Sequence, residues 1–218
     1  MTAPVTARSP VELLEPHVRS RLHPLETTGW PNDVIRSDFD LHQHLRPEAS
    51  AAPTPAAVLV ALVQREAGLT VILTRRSDDL RRHSGQIALP GGRCDPGETP
   101  GETALREAEE EIGLDRRFVR LAGLGDPYDT VTNFRVLPVV GFVSPGFSLR
   151  ADPHEVAEVF ETPFDFLMDV ANHEEHERLS PDGNRRRFFA MSHDDRMIWG
   201  ATAGVLRALS FRLFGSPA

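Results

Sequence analysis

Three glutamates, Glu107, Glu110 and Glu111, stand at i, i+3 and i+4, and a fourth, Glu98, lies in the glycine-rich loop just upstream. If the segment is a helix turning ~100° per residue, the three carboxylates share one face. Like charges so placed repel, and Arg106 beside them offsets the repulsion only partly. A divalent cation would neutralise them, and an all-oxygen donor set suits Mg²⁺ or Mn²⁺. A Glu-rich helix alone is more often a solvated acidic surface. Here the loop from Gly91-Gly92 to Gly97-Glu98 brings the fourth carboxylate close, which favours a metal centre.

The helix that must position these groups is well marked. Thr99 predicts an N-cap, Pro100 the first helical position, Glu102 the return half of a capping box and Gly113 the stop. Ala104, Leu105, Ala108 and Ile112 form an apolar stripe. Glu102, Arg106 and Glu109 fall on the side away from it, where surface pairs are expected.

Around that helix, strands outnumber helices. Ala57–Val63 is a continuous apolar run, typical of a buried strand; Glu66-Ala67-Gly68 reads as a turn and Leu69–Thr74 as the returning strand of a hairpin. Phe134–Val143 predicts another strand, in which Pro138 favours an edge or a bulge. Val156–Phe160 and Arg185–Met191 are shorter candidates. Gly200–Phe214 predicts an amphipathic helix through Val205, Leu206, Leu209 and Leu213. The mixed order suggests α+β layering about a mixed sheet. Residues 1–54 hold seven of the 18 prolines and read as an extension and linker, with a short helix near Val11–Leu22; residues 55–216 form the main domain. The extension either packs on the domain or a neighbour, or is a solvated tail.

The 218-residue chain carries 24 basic and 32 acidic residues, a net charge of −8. That balance disfavours non-specific binding to nucleic acid or anionic membranes. Every basic residue is Arg, which excludes Schiff-base lysines and the Walker A loop. Cys94 is the only cysteine, so intrachain disulfides and cysteine-rich zinc sites are excluded, and a cytoplasmic setting is expected. The longest clean apolar run, Ala56–Val63, is far short of the ~18 residues of a membrane span.

Gly92, five residues, Glu98, seven residues, then Arg106-Glu107-Ala108-x-Glu110-Glu111-x-Gly113-Leu114 resembles the Nudix box in every fixed position. The resemblance implies an α/β/α sandwich with a loop–helix–loop unit. It also implies hydrolysis of a nucleoside diphosphate linked to another group. On it, Glu107, Glu110 and Glu111 bind divalent metal, Glu98 binds metal or orients the site, Arg106 orients a carboxylate, and Gly92 belongs with the metal site. The chemistry suits the residues, since cations bridging phosphate oxygens stabilise the developing charge and acidify the attacking water. The base that takes the water's proton is then Glu155, from an acidic segment Pro153–Phe160 resembling one that approaches the metals in this fold, or Glu110.

The flanks speak to the substrate. Leu73-Thr74-Arg75-Arg76-Ser77, then Leu80-Arg81-Arg82-His83-Ser84-Gly85-Gln86, then Leu89-Pro90 resembles the pattern marking the coenzyme A diphosphatase branch of the family. Leu89 replaces the commoner Phe. The stretch from Arg75 to Arg93 is locally cationic in an acidic chain, and guanidinium forks suit phosphate oxygens. Arg75, Arg76, Arg82 and His83 are the expected substrate contacts, with at most one of Arg75 and Arg76 facing the site because neighbours on a strand point oppositely. The resemblance implies hydrolysis of coenzyme A or acyl-CoA by a monomer or homodimer. ADP-ribose, a dinucleotide or an oxidised nucleotide is the alternative substrate, and a non-catalytic nucleotide sensor the alternative of another class.

Other motifs carry no chemistry. His173-Glu174-Glu175-His176 lacks the i, i+4 spacing of zinc-protease histidines and is expected to be solvated, as is His154. Gly123-Leu124-Gly125 reads as a turn, and Arg185-Arg186-Arg187 as an exposed strand end with a phosphate contact as the alternative.

Overall fold

An apolar run such as Ala57–Val63 is stable only where both faces are covered. It lies at the centre of the computed structural model, which describes residues 10–26, 30–31, 36–41, 52–78, 85–179 and 185–215. Ahead of it come helix α1 (Pro10–Arg21) and a two-residue strand, β1 (Arg36–Ser37). The run belongs to β2 (Thr54–Arg65), which turns into β3 (Gly68–Arg76) in the expected hairpin, pairing Leu62 with Val71 and Arg65 with Gly68. Two short strands, β4 (Ile87–Ala88) and β5 (Gly91–Arg93), lead to helix α2 (Pro100–Ile112). Then follow β6 (Val119–Leu124), β7 (Tyr128–Asp129), β8 (Phe134–Val143) and β9 (Val156–Pro163). The chain ends with α3 (Phe164–Met168), β10 (Glu174–Leu179), β11 (Arg185–His193), β12 (Arg196–Trp199) and α4 (Ala201–Phe214).

Among the described residues β1 to β9 form one sheet, ordered β1-β7-β8-β2-β3-β4, with β5 on β2, β6 on β8 and β9 on β3. β2 and β8 run parallel from Thr54↔Phe134 to Val63↔Val143, while β2–β3, β3–β9 and β6–β8 are antiparallel. The sheet is therefore mixed. β10, β11 and β12 form a separate antiparallel sheet. Alternation along β2 divides the core. Leu59, Ala61 and Val63 pack with Ala104, Ala108 and Ile112 of α2, while Val60 and Leu62 pack with Val18 of α1, Phe164 and Leu167 of α3, and Leu206 and Leu209 of α4. Helices thus cover both faces, the α+β sandwich expected. Among the described residues no helix is long and apolar enough to cross a membrane.

Three local expectations are corrected, and the described part of the extension takes the packed one of its two alternatives. Pro138 is in a central strand, not at an edge, and the one bulge against β8 lies between Leu121 and Gly123. The Pro138 carbonyl accepts from the Gly125 N–H at 2.8 Å, just where β6 has ended and β7 not begun. A residue's N–H and C=O point the same way in a strand, so the missing donor faces that interruption and leaves no ladder bond unmade. Gly123-Leu124 is the end of β6, with Gly125 just past it, rather than a turn. A Cβ on Gly123, at φ 157°, would sit 2.7 Å from the His23 carbonyl, and Leu124 exchanges two 2.9 Å backbone bonds with His23. The described part of the extension therefore lies on the sheet rather than standing in solvent. Val18 is fully buried, and a Glu15 oxygen accepts from Arg120 at 2.7 Å. Finally, α4 is buried on more than one side, at Ala203, Gly204, Ala208 and Ser210 as well as the expected stripe, because both sheets and α3 close around it.

Candidate active site

The ends of α2 fix its rotation, and so the directions of its glutamates. The Thr99 hydroxyl accepts from the Glu102 N–H at 3.3 Å, while the Glu102 carboxylate accepts from the Thr99 N–H at 2.8 Å. Gly113 closes the helix at φ 66°, its N–H reaching the Glu109 carbonyl at 3.0 Å. The face turned to the sheet carries Ala104, Ala108 and Ile112 and also Glu111, while Leu105 is only half-buried.

Glu111 is a carboxylate inside the protein, 4% exposed. Its Oε2 accepts from the Gly91 N–H at 3.1 Å, and an Arg76 Nη lies 3.8 Å from its Oε1. Burial pushes its pKa up to about 7; the Gly91 N–H and Arg76 pull against that, and Glu107 and Glu155 add to it. Glu107 is half-buried and shifts upward for the same leading reason, opposed by Arg106 and reinforced by Glu110 and Glu155. A Cβ on Gly92 would lie 2.5 Å from the Glu107 carboxyl carbon, so the loop backbone packs against that carboxylate.

Arg106 corrects the expectation of a surface pair. Its long side chain reaches back under the loop instead. Nε and Nη2 grip both oxygens of Glu98, at 2.8 and 2.9 Å; Nη1 reaches Glu107 at 2.8 Å and Glu110 at 3.1 Å; Nη2 also donates to the Arg93 carbonyl at 3.2 Å. Glu98 also accepts from the Thr103 hydroxyl and the Asp95 N–H, and the Arg106 fork chiefly holds its carboxyl down at about 2. Glu98 is thus locked as an anion tying loop to helix. Of the other expected surface residues, Glu102 serves the cap and Glu109 pairs with Arg116.

The flanking candidates divide. Arg76 enters the site and Arg75 leaves it, bound to Asp78 at 3.0 Å and lying 3.9 Å from Glu158. Arg82 and His83 lie outside the described residues. Glu155 is exposed in the turn before β9, close enough to raise both Glu107 and Glu111, with its carbonyl tied to the Ser77 N–H at 2.8 Å. Glu110 is the most open of the box glutamates, its side chain 60% exposed. Side-chain reading missed the Gly91 N–H and the Arg93 carbonyl, because backbone donors and acceptors leave no residue-type signature; the Gly91-Gly92 pair was their only trace.

Hard oxygen donors around a buried, poorly compensated anion fit a divalent cation in type and charge. Among the described residues, no three Asp, Glu, His or Cys side chains already converge as a ligand shell. Arg106 holds Glu98 and shares Glu107 and Glu110, while no bond from Arg106 to Glu111 is found among the described residues; Glu107, Glu110 and Glu111 are the carboxylates that could hold a cation. An open cleft of about 320 Å³ runs along Gly91, Gly92 and Arg93, bounded by Val58, Thr130 and Phe134.

The discounted motifs stay outside this site. His173 is buried, not solvated, because its Nε2 bonds the Leu167 carbonyl at 2.8 Å; His176 stacks on Phe188. His154 is exposed as expected. Burial pushes the Cys94 thiol up, away from the reactive thiolate form.

The likenesses run through the same part of the chain. Residues 53–183 match the NUDIX domain family model. A Yersinia enterocolitica protein named uncharacterized Nudix hydrolase NudL is 37% identical over 175 residues, covering 80% of this chain and 89% of that one. Its namesake in Cronobacter sakazakii is 38% identical over 195 residues, covering 88% of this chain and the whole of the other. A solved C. elegans Ap4A hydrolase binary complex aligns with a TM-score of 0.46 at 18% identity, over 54% of this chain and 86% of that one. Glutamates that a capped helix turns toward a glycine loop, on a mixed sheet and inside the matched span, leave one assignment: the chain belongs to the Nudix family of hydrolases.

Proposed function

We propose that the protein is a cytoplasmic, divalent-metal-dependent diphosphatase of coenzyme A or acyl-CoA, releasing 3′,5′-ADP and (acyl-)4′-phosphopantetheine. The observation that supports it most is Arg76. The basic segment before the box, which resembles the coenzyme A branch, delivers a guanidinium to within 3.8 Å of Glu111. A cation beside metal-type carboxylates suits a substrate carrying several negative charges.

In this reading Glu107 and Glu111 hold Mg²⁺ or Mn²⁺, which when bound neutralises phosphate oxygens and acidifies water. The Gly91 N–H fixes the Glu111 carboxylate, and Arg106 fixes Glu98 and Glu107. Water attacks one phosphorus, the anhydride P–O bond breaks, and the bridging oxygen leaves on the other phosphate. Glu155 takes the water's proton, and Arg76 offsets charge on the diphosphate. A substrate panel with either metal tests this. Coenzyme A or an acyl-CoA should show the highest kcat/KM; a tenfold preference for ADP-ribose or a dinucleotide overturns it, and no turnover of any substrate favours a sensor.

Two expected outcomes concern these side chains. Arg76→Ala should raise KM for coenzyme A about tenfold or more, since a charge-assisted contact is worth ~1.5–3 kcal/mol. From its place beside Glu111, Arg76 meets the diphosphate, so 3′-dephospho-coenzyme A should lose as much. Arg75→Ala should change neither. Glu155→Gln should abolish the acidic limb of the pH–rate profile; an unchanged profile at full activity passes the role of base to Glu110.

A further inference from the structure

A cavity of about 370 Å³ lies beyond the cleft, between the N-terminal segment at residues 37–41, the β10–β12 sheet and the start of α4. We propose that it holds the nucleoside half of the substrate, with the base among its aromatic rings and the ribose phosphate at its arginines. This rests on the coenzyme A reading and assigns the N-terminal extension a part in substrate selection.

Two kinds of side chain dominate the walls. Phe39, Tyr128, Phe188 and Trp199 line it, using the chain's only tyrosine and one of its two tryptophans. Phe188 and Trp199 stand with ring centroids 5.4 Å apart. Arg178, Arg186 and Arg187 line it against one carboxylate, Asp38, an inversion of sign in a chain of net charge −8. Flat apolar faces with nearby guanidinium groups are the chemistry that receives a purine bearing a phosphate.

The N-terminal wall is fixed in place. β1 pairs in parallel with β7. Asp38 accepts from the Tyr128 hydroxyl at 3.0 Å and from the Val131 N–H at 2.8 Å. Arg187 donates to the Leu41 carbonyl at 3.0 Å and to Glu175 at 2.7 Å, joining this wall to the small sheet.

The cavity also adjoins the cleft that runs along the box loop. Thr130 and Thr132 line both it and the cleft over Gly91 and Gly92, and Gln86, just before the box, lines it as well. Coenzyme A has two anionic centres. The diphosphate belongs at the glutamates and Arg76. The ribose phosphate needs cations elsewhere, and the cavity supplies them. The pantetheine arm has no charge beyond the diphosphate and brings no second phosphate to these arginines.

The test reads binding apart from catalysis. In a Trp30→Phe background, Trp199 is the only tryptophan, and adenosine 3′,5′-bisphosphate is titrated in chelator. Saturable quenching is expected, with 5′-AMP and 4′-phosphopantetheine each binding at least about tenfold more weakly. Arg186→Gln and Phe39→Ala should each weaken the bisphosphate about tenfold, Arg186→Gln leaving 5′-AMP unchanged. Arg178→Gln, on the exposed strand β10, serves if Arg186→Gln does not fold, and Phe39→Leu if Phe39→Ala does not. A silent Trp199, or preference for 4′-phosphopantetheine, overturns the inference even if coenzyme A is cleaved. Quenching by the bisphosphate with no cleavage of coenzyme A overturns the activity reading and leaves the cavity a nucleotide site.

Discussion

Glu111→Gln and Glu107→Gln should each lower turnover by about a hundredfold or more at saturating metal, roughly 2.7 kcal/mol of barrier, with the fold intact. In the proposed function both hold the cation. Glu111 is buried with one backbone donor and one distant guanidinium, and Glu107 lies against the Gly92 backbone. The amides keep shape and lose charge, so structure survives and affinity for the cation does not. A variant retaining more than about a tenth of parent kcat, ~1.4 kcal/mol, would show that the metal lies elsewhere.

The same burial gives a second reading of these variants, without metal. The folded-state pKa of Glu111 is pushed up to about 7, while in an unfolded chain it titrates near 4.5. A raised carboxyl pKa means that the folded state favours the proton. This contribution to stability is fully present below pH 4.5 and is lost as pH rises through 7. In chelator the parent should therefore weaken between pH 5 and pH 8, and Glu111→Gln should escape that part of the loss. At pH 8 the variant should be the more stable by on the order of 2–3 kcal/mol, each pKa unit being worth ~1.4 kcal/mol. Adding Mg²⁺ should raise the melting temperature of the parent and not that of the variant. Equal melting temperatures at pH 8 in chelator would mean that the Glu111 charge is already compensated.

The parts legible in the sequence are those decided locally. α2 was readable to its caps because Thr99, Pro100, Glu102 and Gly113 act within one turn of where they stand. β2, β3 and β8 were readable because a run that is apolar throughout has few other uses. What escaped depends on distant partners. Helical spacing set Glu107, Glu110 and Glu111 on one face, but only the approach of β5 and β3 makes Glu111 a buried group and Glu110 an open one. Arg106 is at a surface angle by its position, yet its side chain is long enough to turn back to Glu98. Pro138 argued for an edge, and the interruption between β6 and β7 that admits it to a central strand lies elsewhere in the chain. The wrapping of the extension rests on the His23 backbone meeting Leu124, which has no residue-type signal.

Adjacent glycines in the box loop should fail in opposite ways when changed to alanine. Gly91 has φ 155°, and a Cβ there would meet the Ala57 carbonyl and come within 2.6 Å of the Val58 Cα. Those are backbone atoms of β2, the strand at the centre of the sheet, and they have nowhere to go. Gly91→Ala should therefore destabilise the protein by roughly 3–5 kcal/mol, a fall in melting temperature of about 10 °C for a chain this size. Gly92 needs no special backbone angle, and its Cβ would meet the Glu107 carboxyl group at 2.5 Å. That group is the far end of a flexible side chain and moves aside by a rotamer change. Gly92→Ala should therefore melt within a few degrees of the parent while kcat falls about a hundredfold and the metal concentration for half-maximal activity rises. Melting curves and metal titrations of the two variants decide the matter. If Gly92→Ala keeps full activity, Glu107 is not held by the loop; if Gly91→Ala melts with the parent, β5 has room to shift off β2, and the loop is not the rigid floor this site requires.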